Sequence, residues 1–258
     1  MSYPIYVVDA FSASAFSGNP AGVCVLETDQ PTEWMQQVAA EMKHAETAFV
    51  RPVGDAYVLR WLTPTVEVDL CGHATLATAH TLWESGRHPK NKTISFHTRS
   101  GILTAELDGQ IQLNFPSIPS QSAALPHKMV GLPAIWTGHN GMDWFIEVDD
   151  ENALRNYHPD FDEINRLGMR GLIVTAKGSD KYDFVSRFFA PQSGVPEDPV
   201  TGSAHCCLAP YWAAKLGKSE MLGYQASERG GEVGVVVSGD RILLRGNATT
   251  ILEGTLRC

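Results

Sequence analysis

Two short glycine-containing segments carry the residues of this chain that are best suited to chemistry. The first reads CGHA at 71–74 and the second TGSA at 201–204, and a run of small apolar residues follows each segment. Such a run predicts a helix that begins at the glycine. The first turn of a helix presents unpaired backbone N–H groups and the positive end of the helix dipole, so it can bind a carboxylate or phosphate. Two such helix starts facing one cleft would hold an anionic substrate and stabilise a developing enolate.

Individual side chains around these segments add candidate acids, bases and ligands. A neutral imidazole at His73 can bind a substrate or relay a proton, although a structural histidine fits equally well. Glu46 precedes an apolar run; a partly shielded carboxylate is a usable acid and base, whereas an exposed one is a plain loop residue. Asp198 stands where an unused charge is costly, yet Asp-Pro is also ordinary turn chemistry. Thr201 and Ser203 can cap the second helix or touch an anion.

The thiol of Cys71 is a further candidate nucleophile or base, because a helix N-terminus favours the thiolate. Its counterpart in the second segment is Thr201, and Cys206 and Cys207 lie inside the predicted helix as core residues. A symmetric mechanism with two thiols is therefore unsupported. The chain has five cysteines and no Cys-x-x-Cys spacing, which predicts neither a disulfide framework nor a structural zinc site.

The overall composition predicts an ordinary globular protein of the cytoplasm. The chain has 258 residues, enough for one large domain or two smaller ones. Twenty Lys and Arg against 29 Asp and Glu give a formal charge of −9, and without a basic run this argues against nucleic acid and anionic membranes as partners. The N-terminal residues do not resemble a secretion signal. No stretch approaches the ~18 apolar residues of a membrane span.

The two halves of the chain repeat one pattern. RWLTP at 60–64 precedes the first glycine segment and RFFAP at 187–191 precedes the second. Because the period is about half the chain, it indicates two copies of one unit rather than a solenoid, whose repeats are about 20–50 residues long. We predict an α+β fold with two pseudo-symmetric domains, each a curled, antiparallel-rich, barrel-like sheet around a central apolar helix.

Local patterns predict the boundaries of these halves. The Pro- and Ser-rich stretch at 116–126 is the predicted linker between an N-terminal half, 1–116, and a C-terminal half, 127–250. The segment after about 250 can join the N-terminal half. The second central helix is predicted over 204–216, where Pro210 requires a kink or a later start.

Four motifs, taken together and in order, resemble the phenazine-biosynthesis PhzF-like family, whose fold resembles that of diaminopimelate epimerase. They are DAF at 9–11 with GNPAGV at 18–23, ETAF at 46–49, CGHAT at 71–75 and EDPVTGSA at 197–204. The resemblance covers essentially the whole chain. It implies a diaminopimelate epimerase-like fold of two domains with the site between them.

The resemblance also implies a reaction and the residues that perform it. The expected reaction is a cofactor-independent, metal-free isomerisation of a small carboxylate-bearing molecule, in which Glu46 shuttles a proton between carbons. His73, Asp198 and Ser203 would orient the substrate and assist the proton transfer. Substrate binding would fall to Asn19, Gly72, Thr201 and Gly202. Many members of the family are dimers, so a homodimer is expected.

Two other functions remain open at this point. One is a non-catalytic binding or scaffold protein of the same fold. The presence of all four predicted catalytic residues argues against it. The other is a racemase-like enzyme that uses the single thiol of Cys71. That cysteine matches one thiol of the diaminopimelate epimerase pattern, but the second thiol is absent.

Overall fold

A computed structural model describes residues 2–129 and 131–257 of the chain. Up to residue 116 its elements are, in order, β1 Ser2–Ala10, β2 Asn19–Val25, α1 Thr32–Met42, β3 Thr47–Val53, β4 Ala56–Leu62, β5 Glu67–Val68, α2 Gly72–Glu84, β6 Ile94–Thr98, β7 Gly101–Asp108 and β8 Gln110–Pro116. From residue 121 onward they are β9 Gln121–Ser122, β10 Ala134–His139, β11 Asp143–Val148, α3 Glu151–Arg155, α4 Phe161–Asn165, β12 Gly171–Lys177, β13 Phe184–Ala190, a short 3₁₀ helix at Pro191–Ser193, β14 Val195–Asp198, α5 Gly202–Leu216, β15 Glu220–Gln225, β16 Gly231–Ser238, β17 Arg241–Gly246 and β18 Ala248–Arg257.

Contacts within the chain divide it into two compact units. The first contains the residues up to Phe115 together with those from Leu244 onward, and the second contains Pro116–Leu243. The C-terminal strand β18 belongs to the first unit because it pairs antiparallel with β1 along the whole of that strand. The segment 116–126, predicted as a linker, includes β9, which pairs with β10. It is therefore part of the second unit.

Both units repeat one order of strand pairing. In the first, β1 pairs antiparallel with β2, β2 parallel with β3, β3 antiparallel with β4, and β4 parallel with β6. In the second, β10, β11, β12, β13 and β15 pair in the same sequence of antiparallel and parallel contacts. Parallel neighbours need a crossover connection, which contains α2 between β4 and β6 and α5 between β13 and β15. The predicted sheet-rich α+β fold is confirmed.

The helix α2 is apolar on nearly every side, as its sequence predicts. Its residues from Gly72 to Ala79 are all buried, and it contacts β1, β2, β3 and β18 of the first unit. Buried hydroxyl groups in such a helix need partners. Thr75 and Thr78 obtain them by donating to the carbonyl oxygens of Cys71 and Ala74, four residues earlier.

The helix α5 begins at Gly202 and continues through Pro210, so the later start considered from the sequence is wrong. A proline has no N–H with which to reach the carbonyl group four residues earlier, which here belongs to Cys206. The backbone N–H of Ile118 donates to that carbonyl instead, at 3.0 Å. This bond ties the predicted linker to the central helix of the second unit.

Each unit buries an apolar cluster beside its sheet. In the first unit α1 contributes Met35 and Val38 from its apolar stripe. In the second, Leu154 of α3 and Ile164 of α4 take this place, and Pro159 falls between these two short helices. Among the residues that the structure describes, no helix is both long enough and apolar enough to cross a membrane.

Candidate functional site

The first unit gathers Glu46, His73 and Asn19 at the start of α2. Asn19 is the first residue of β2, and Glu46 immediately precedes β3, the parallel neighbour of β2. Parallel strands begin at the same edge of a sheet, so the two side chains reach the same helix start. The Nε2 atom of His73 lies 3.3 Å from Oε2 of Glu46, and its Nδ1 atom lies 3.1 Å from Nδ2 of Asn19. The side chain of Glu46 is 17% exposed and that of His73 is 4% exposed, so the carboxylate is the more accessible group.

The imidazole of His73 is neutral, and its neighbours decide which nitrogen carries the proton. Burial lowers the pKa of His73 to about 3, and the nearby His44 adds to this effect. When the amide of Asn19 donates to Nδ1, the ring proton lies on Nε2 and faces the carboxylate of Glu46. The thiol of Cys71, with Sγ 3.6 Å from Nδ1, is then a second donor to that nitrogen. The Nε2 atom of His73 lies 3.3 Å from the Glu46 carboxylate, but the geometry of this contact is not that of a hydrogen bond.

Three side chains of this cluster offer atoms that can bind a metal ion. A carboxylate oxygen of Glu46, the Sγ atom of Cys71 and an imidazole nitrogen of His73 lie within 4.8 Å of one another. The thiol contacts Nδ1, however, while the carboxylate contacts Nε2. The two groups thus lie at opposite nitrogens of the ring.

The second unit gathers the other predicted residues at the start of α5. Asp198 ends β14, and Thr201 is the N-cap residue of the helix. The hydroxyl group of Thr201 donates to Oδ2 of Asp198 at 2.6 Å, so it orients this carboxylate instead of capping the helix. The N-cap residues of the two central helices, Cys71 and Thr201, do not cap their helices through their own side chains. The backbone N–H groups of these turns include those of Gly72 and Gly202.

One fully buried residue beside this turn, Gln225, was missed from the sequence. Its Oε1 atom accepts the backbone N–H of Thr201 at 2.8 Å, and its Nε2 atom donates to the carbonyl oxygen of Asp198 at 2.7 Å. A buried amide that is satisfied at both ends fixes the backbone it bridges. The available signal was the alternation of exposed and buried residues along β15, in which Gln225 takes a buried position.

A second missed residue, Arg170, reaches the same helix start. It immediately precedes β12 and donates to both carboxylate oxygens of Asp143, at 2.8 and 2.5 Å. Its Nη2 atom also donates to the Oγ atom of Ser203 at 3.1 Å. The predicted residue Ser203 is therefore held by a cation that the sequence motifs do not include.

An arginine–glutamate pair supports the turn before each central helix. Arg60 donates to both carboxylate oxygens of Glu67, at 2.8 and 2.7 Å. Arg187 does the same to Glu197, at 2.7 and 2.9 Å. Each pair joins a long strand to the short strand that leads into the helix, and bidentate pairing fixes the geometry of both groups. This explains why both repeated motifs begin with arginine.

Comparison with known proteins assigns the chain to a family. The sequence profile described as "Phenazine biosynthesis-like protein" (PhzC-PhzF) matches residues 8–254. The chain belongs to this PhzF family. The resemblance predicted from the four motifs is therefore confirmed.

Relatives of this PhzF-family chain include proteins with solved structures. A protein of Halalkalibacterium halodurans, named an uncharacterized isomerase, is 52% identical over 99% of each chain. A PhzF-family protein from Enterococcus faecalis has a crystal structure that matches with a TM-score of 0.94 at 40% identity, over 100% of both chains. A hydroxyproline epimerase from Agrobacterium vitis matches with a TM-score of 0.66 at 11% identity, over 99% of this chain and 92% of that one. The predicted epimerase-like fold is thus confirmed.

Two buried histidines predict that this PhzF-family chain loses stability in acid. Burial lowers the pKa of His73 to about 3 and that of His205 to about 4, where a hydrogen bond to the Thr201 carbonyl opposes part of the effect. In the unfolded chain both titrate near 6.5. Below pH 6.5 the unfolded state therefore binds more protons than the folded state. The free energy of unfolding should fall by up to about 1.4 kcal/mol per pH unit for each histidine.

Urea unfolding between about pH 7.5 and about pH 4.5 measures this effect. The stabilisation is complete above pH 6.5 and is lost as the pH falls toward the two lowered pKa values. His73→Asn and His205→Asn should each make the free energy of unfolding depend less steeply on pH, because each removes one histidine that titrates differently in the two states. This should hold whatever the variants do to stability at neutral pH. An identical pH dependence in wild type and both variants would contradict the prediction.

Proposed function

We propose that this PhzF-family protein is an isomerase that moves a proton between carbons of a small carboxylate-bearing metabolite. The reaction would need no metal and no organic cofactor. One observation carries the proposal, namely the pairing at 3.3 Å of the accessible Glu46 carboxylate with a neutral, buried His73. The 52%-identical relative is named an isomerase, which supports the reaction class.

Glu46 is the acid and base of the proposed reaction. Its carboxylate removes a proton from a carbon atom that the substrate carboxylate acidifies, and then returns the proton to another carbon on the same face. The negative charge that develops on the substrate is stabilised by the backbone N–H groups at the start of α2, including that of Gly72. The Nε2–H group of His73, 3.3 Å from this carboxylate, would donate to it during the reaction, and Asn19 keeps His73 in the required tautomer.

The second unit provides substrate binding in this proposal. Asp198 and Ser203 orient the substrate, and the backbone N–H of Gly202 contributes a donor at the start of α5. The hydroxyl of Thr201 is engaged with Asp198, so Thr201 acts by positioning that carboxylate.

Deuterium exchange followed by proton NMR tests the proposal. Amino acids, hydroxy acids and cyclic dienoic acids would each be incubated with the protein in D₂O, before and after dialysis against EDTA. Deuterium should enter one carbon position of one class of compound, at the same rate after dialysis. Binding of a compound without exchange would favour the non-catalytic alternative, and loss of exchange after dialysis would contradict the metal-free mechanism.

A second candidate mechanism rests on the thiol of Cys71. Its Sγ atom lies 3.6 Å from Nδ1 of His73, and a thiol beside an imidazole at a helix start is an arrangement that activates cysteine. In this mechanism the thiolate, and not Glu46, would take the proton. The second unit has Thr201 at the corresponding position, with its hydroxyl bonded to Asp198, so a partner thiol is not supplied there.

The substitution Cys71→Ser separates the two mechanisms. If Glu46 is the base, the serine variant should keep its exchange rate within about fivefold of wild type, since one weak hydrogen-bond donor is replaced by another. If the thiol is the base, exchange should fall by about 10²–10⁴-fold. Iodoacetamide treatment of both proteins serves as a control, because inactivation through this thiol must be absent from the serine variant.

A further inference from the structure

Arg170 and Glu46 lie at similar places in the two units, each just before a strand. In the first unit β3 begins at Thr47, and Glu46 precedes it. In the second unit β12 begins at Gly171, and Arg170 precedes it. Both strands pair in parallel with the strand before them, β2 or β11. The register relative to the repeated arginines differs by one residue, because Phe49 pairs with Arg60 and Val174 pairs with Arg187, so the residue equivalent to Glu46 is Gly171.

Each of these two residues contacts the second residue of the central helix in its own unit. Oε2 of Glu46 lies 3.3 Å from Nε2 of His73, and Nη2 of Arg170 lies 3.1 Å from Oγ of Ser203. The two helix starts thus differ in the charge of the side chain beside them. An anion that can take a proton stands at one helix start, and a cation stands at the other.

A buried carboxylate fixes the guanidinium of Arg170. Asp143 is fully buried and accepts from Nε and Nη2, whereas 35% of the Arg170 side chain is exposed. The ring of Phe188 lies 5.4 Å from the guanidinium carbon. A guanidinium held in this way loses little freedom when it meets a planar anion. Asp143 itself has no surface with which to contact a substrate.

The contact with Arg170 also decides how Ser203 can act. Because the Oγ atom of Ser203 accepts a hydrogen bond from the guanidinium, its own proton can be donated elsewhere. Ser203 stands in the first turn of α5, whose backbone N–H groups also donate. The guanidinium, the hydroxyl and the helix start are therefore all suited to an oxyanion.

We infer that Arg170 selects a carboxylate group at the start of α5, by holding Ser203 as a donor and by adding a positive charge. It is a positioning and specificity-determining residue, distinct from the base that moves the proton. This inference rests on the proposed function, in which the substrate carries a carboxylate group.

The variants must avoid leaving a buried charge without its partner. Arg170→Met alone would strand Asp143, so it is combined with Asp143→Asn, and Arg170→Lys keeps the charge with a different geometry. Arg155→Met is the matched control. Arg155 also pairs with a carboxylate, that of Glu151, its guanidinium also lies 5.4 Å from an aromatic ring, and 38% of its side chain is exposed.

Titration of the ¹⁵N-labelled protein, followed by NMR, tests the inference with two probes, cyclohexa-1,3-diene-1-carboxylate and its neutral carboxamide. In wild type the carboxylate should shift the amide signals of Gly202 and Ser203 more than the carboxamide does. The double variant should raise the Kd of the carboxylate by about tenfold or more, since a charge-assisted hydrogen bond is lost. It should leave that of the carboxamide unchanged. Arg170→Lys should restore part of the carboxylate preference, and Arg155→Met should match wild type.

The inference is overturned if wild type binds the two probes with equal affinity. It is also overturned if the double variant prefers the carboxylate as strongly as wild type does. The proposed function is read separately, from deuterium exchange. Glu46→Gln should retain the carboxylate preference although it loses exchange. A protein that selects carboxylates through Arg170 but never exchanges a proton would therefore refute the isomerase proposal and leave this inference standing.

Discussion

Replacing Glu46 by Gln is expected to lower the rate of carbon–hydrogen exchange by about 10²–10⁴-fold, the usual contribution of a positioned acid or base. The amide has the shape of the carboxylate and still offers an oxygen to Nε2 of His73, which lies 3.3 Å from the carboxylate in the wild type. It cannot take up a proton at neutral pH. The loss should therefore appear in exchange and not in folding, as followed by thermal unfolding.

A matched control comes from α2, the helix that contains His73. Glu84 also pairs with a histidine, with Oε2 3.1 Å from Nε2 of His80, but its side chain is 56% exposed. Glu84→Gln should exchange at the wild-type rate. If Glu46→Gln also exchanges at that rate while remaining folded, the base lies elsewhere and the thiol of Cys71 becomes the leading candidate.

Replacing Arg187 by Met is expected to lower the free energy of unfolding by about 3–5 kcal/mol, as found when one partner of a buried ion pair is removed. Its guanidinium pairs with both oxygens of Glu197. It also donates to the carbonyl oxygens of Leu154 and Tyr157, at 3.2 and 2.6 Å. Methionine fills much of the volume but leaves these acceptors without their donor, and the turn before α5 loses its support.

Urea unfolding of Arg187→Met, with Arg155→Met beside it, measures this cost. Arg155 pairs with Glu151 within one surface helix turn, and such pairs contribute about 0–1 kcal/mol. A loss in Arg187→Met no larger than that of the control would show that the repeated arginine does not support the turn. Arg187→Lys should fall between wild type and the methionine variant, because lysine keeps the charge but not the bidentate geometry.

Features that depend on neighbouring residues were predictable from the sequence. The runs of small apolar residues identified both central helices, because a helix that is buried on all sides must be apolar on all sides. The Asp-Gly pair at 108–109 indicated the hairpin of β7 and β8, in which Gly109 adopts a φ of 68°. The internal repeat and the family motifs identified the two helix starts.

The tertiary structure alone decided which side chains meet at those helix starts. Asn19, Glu46 and His73 come together because β2 and β3 are parallel neighbours beside α2, and such pairing joins residues that are far apart in the chain. The same holds for Gln225 beneath Thr201 and for Arg170 beside Ser203. Their partners lie 24 and 33 residues away, beyond the reach of any local pattern. Short-range patterns therefore determined where the helices begin, whereas strand register determined what each helix start can do.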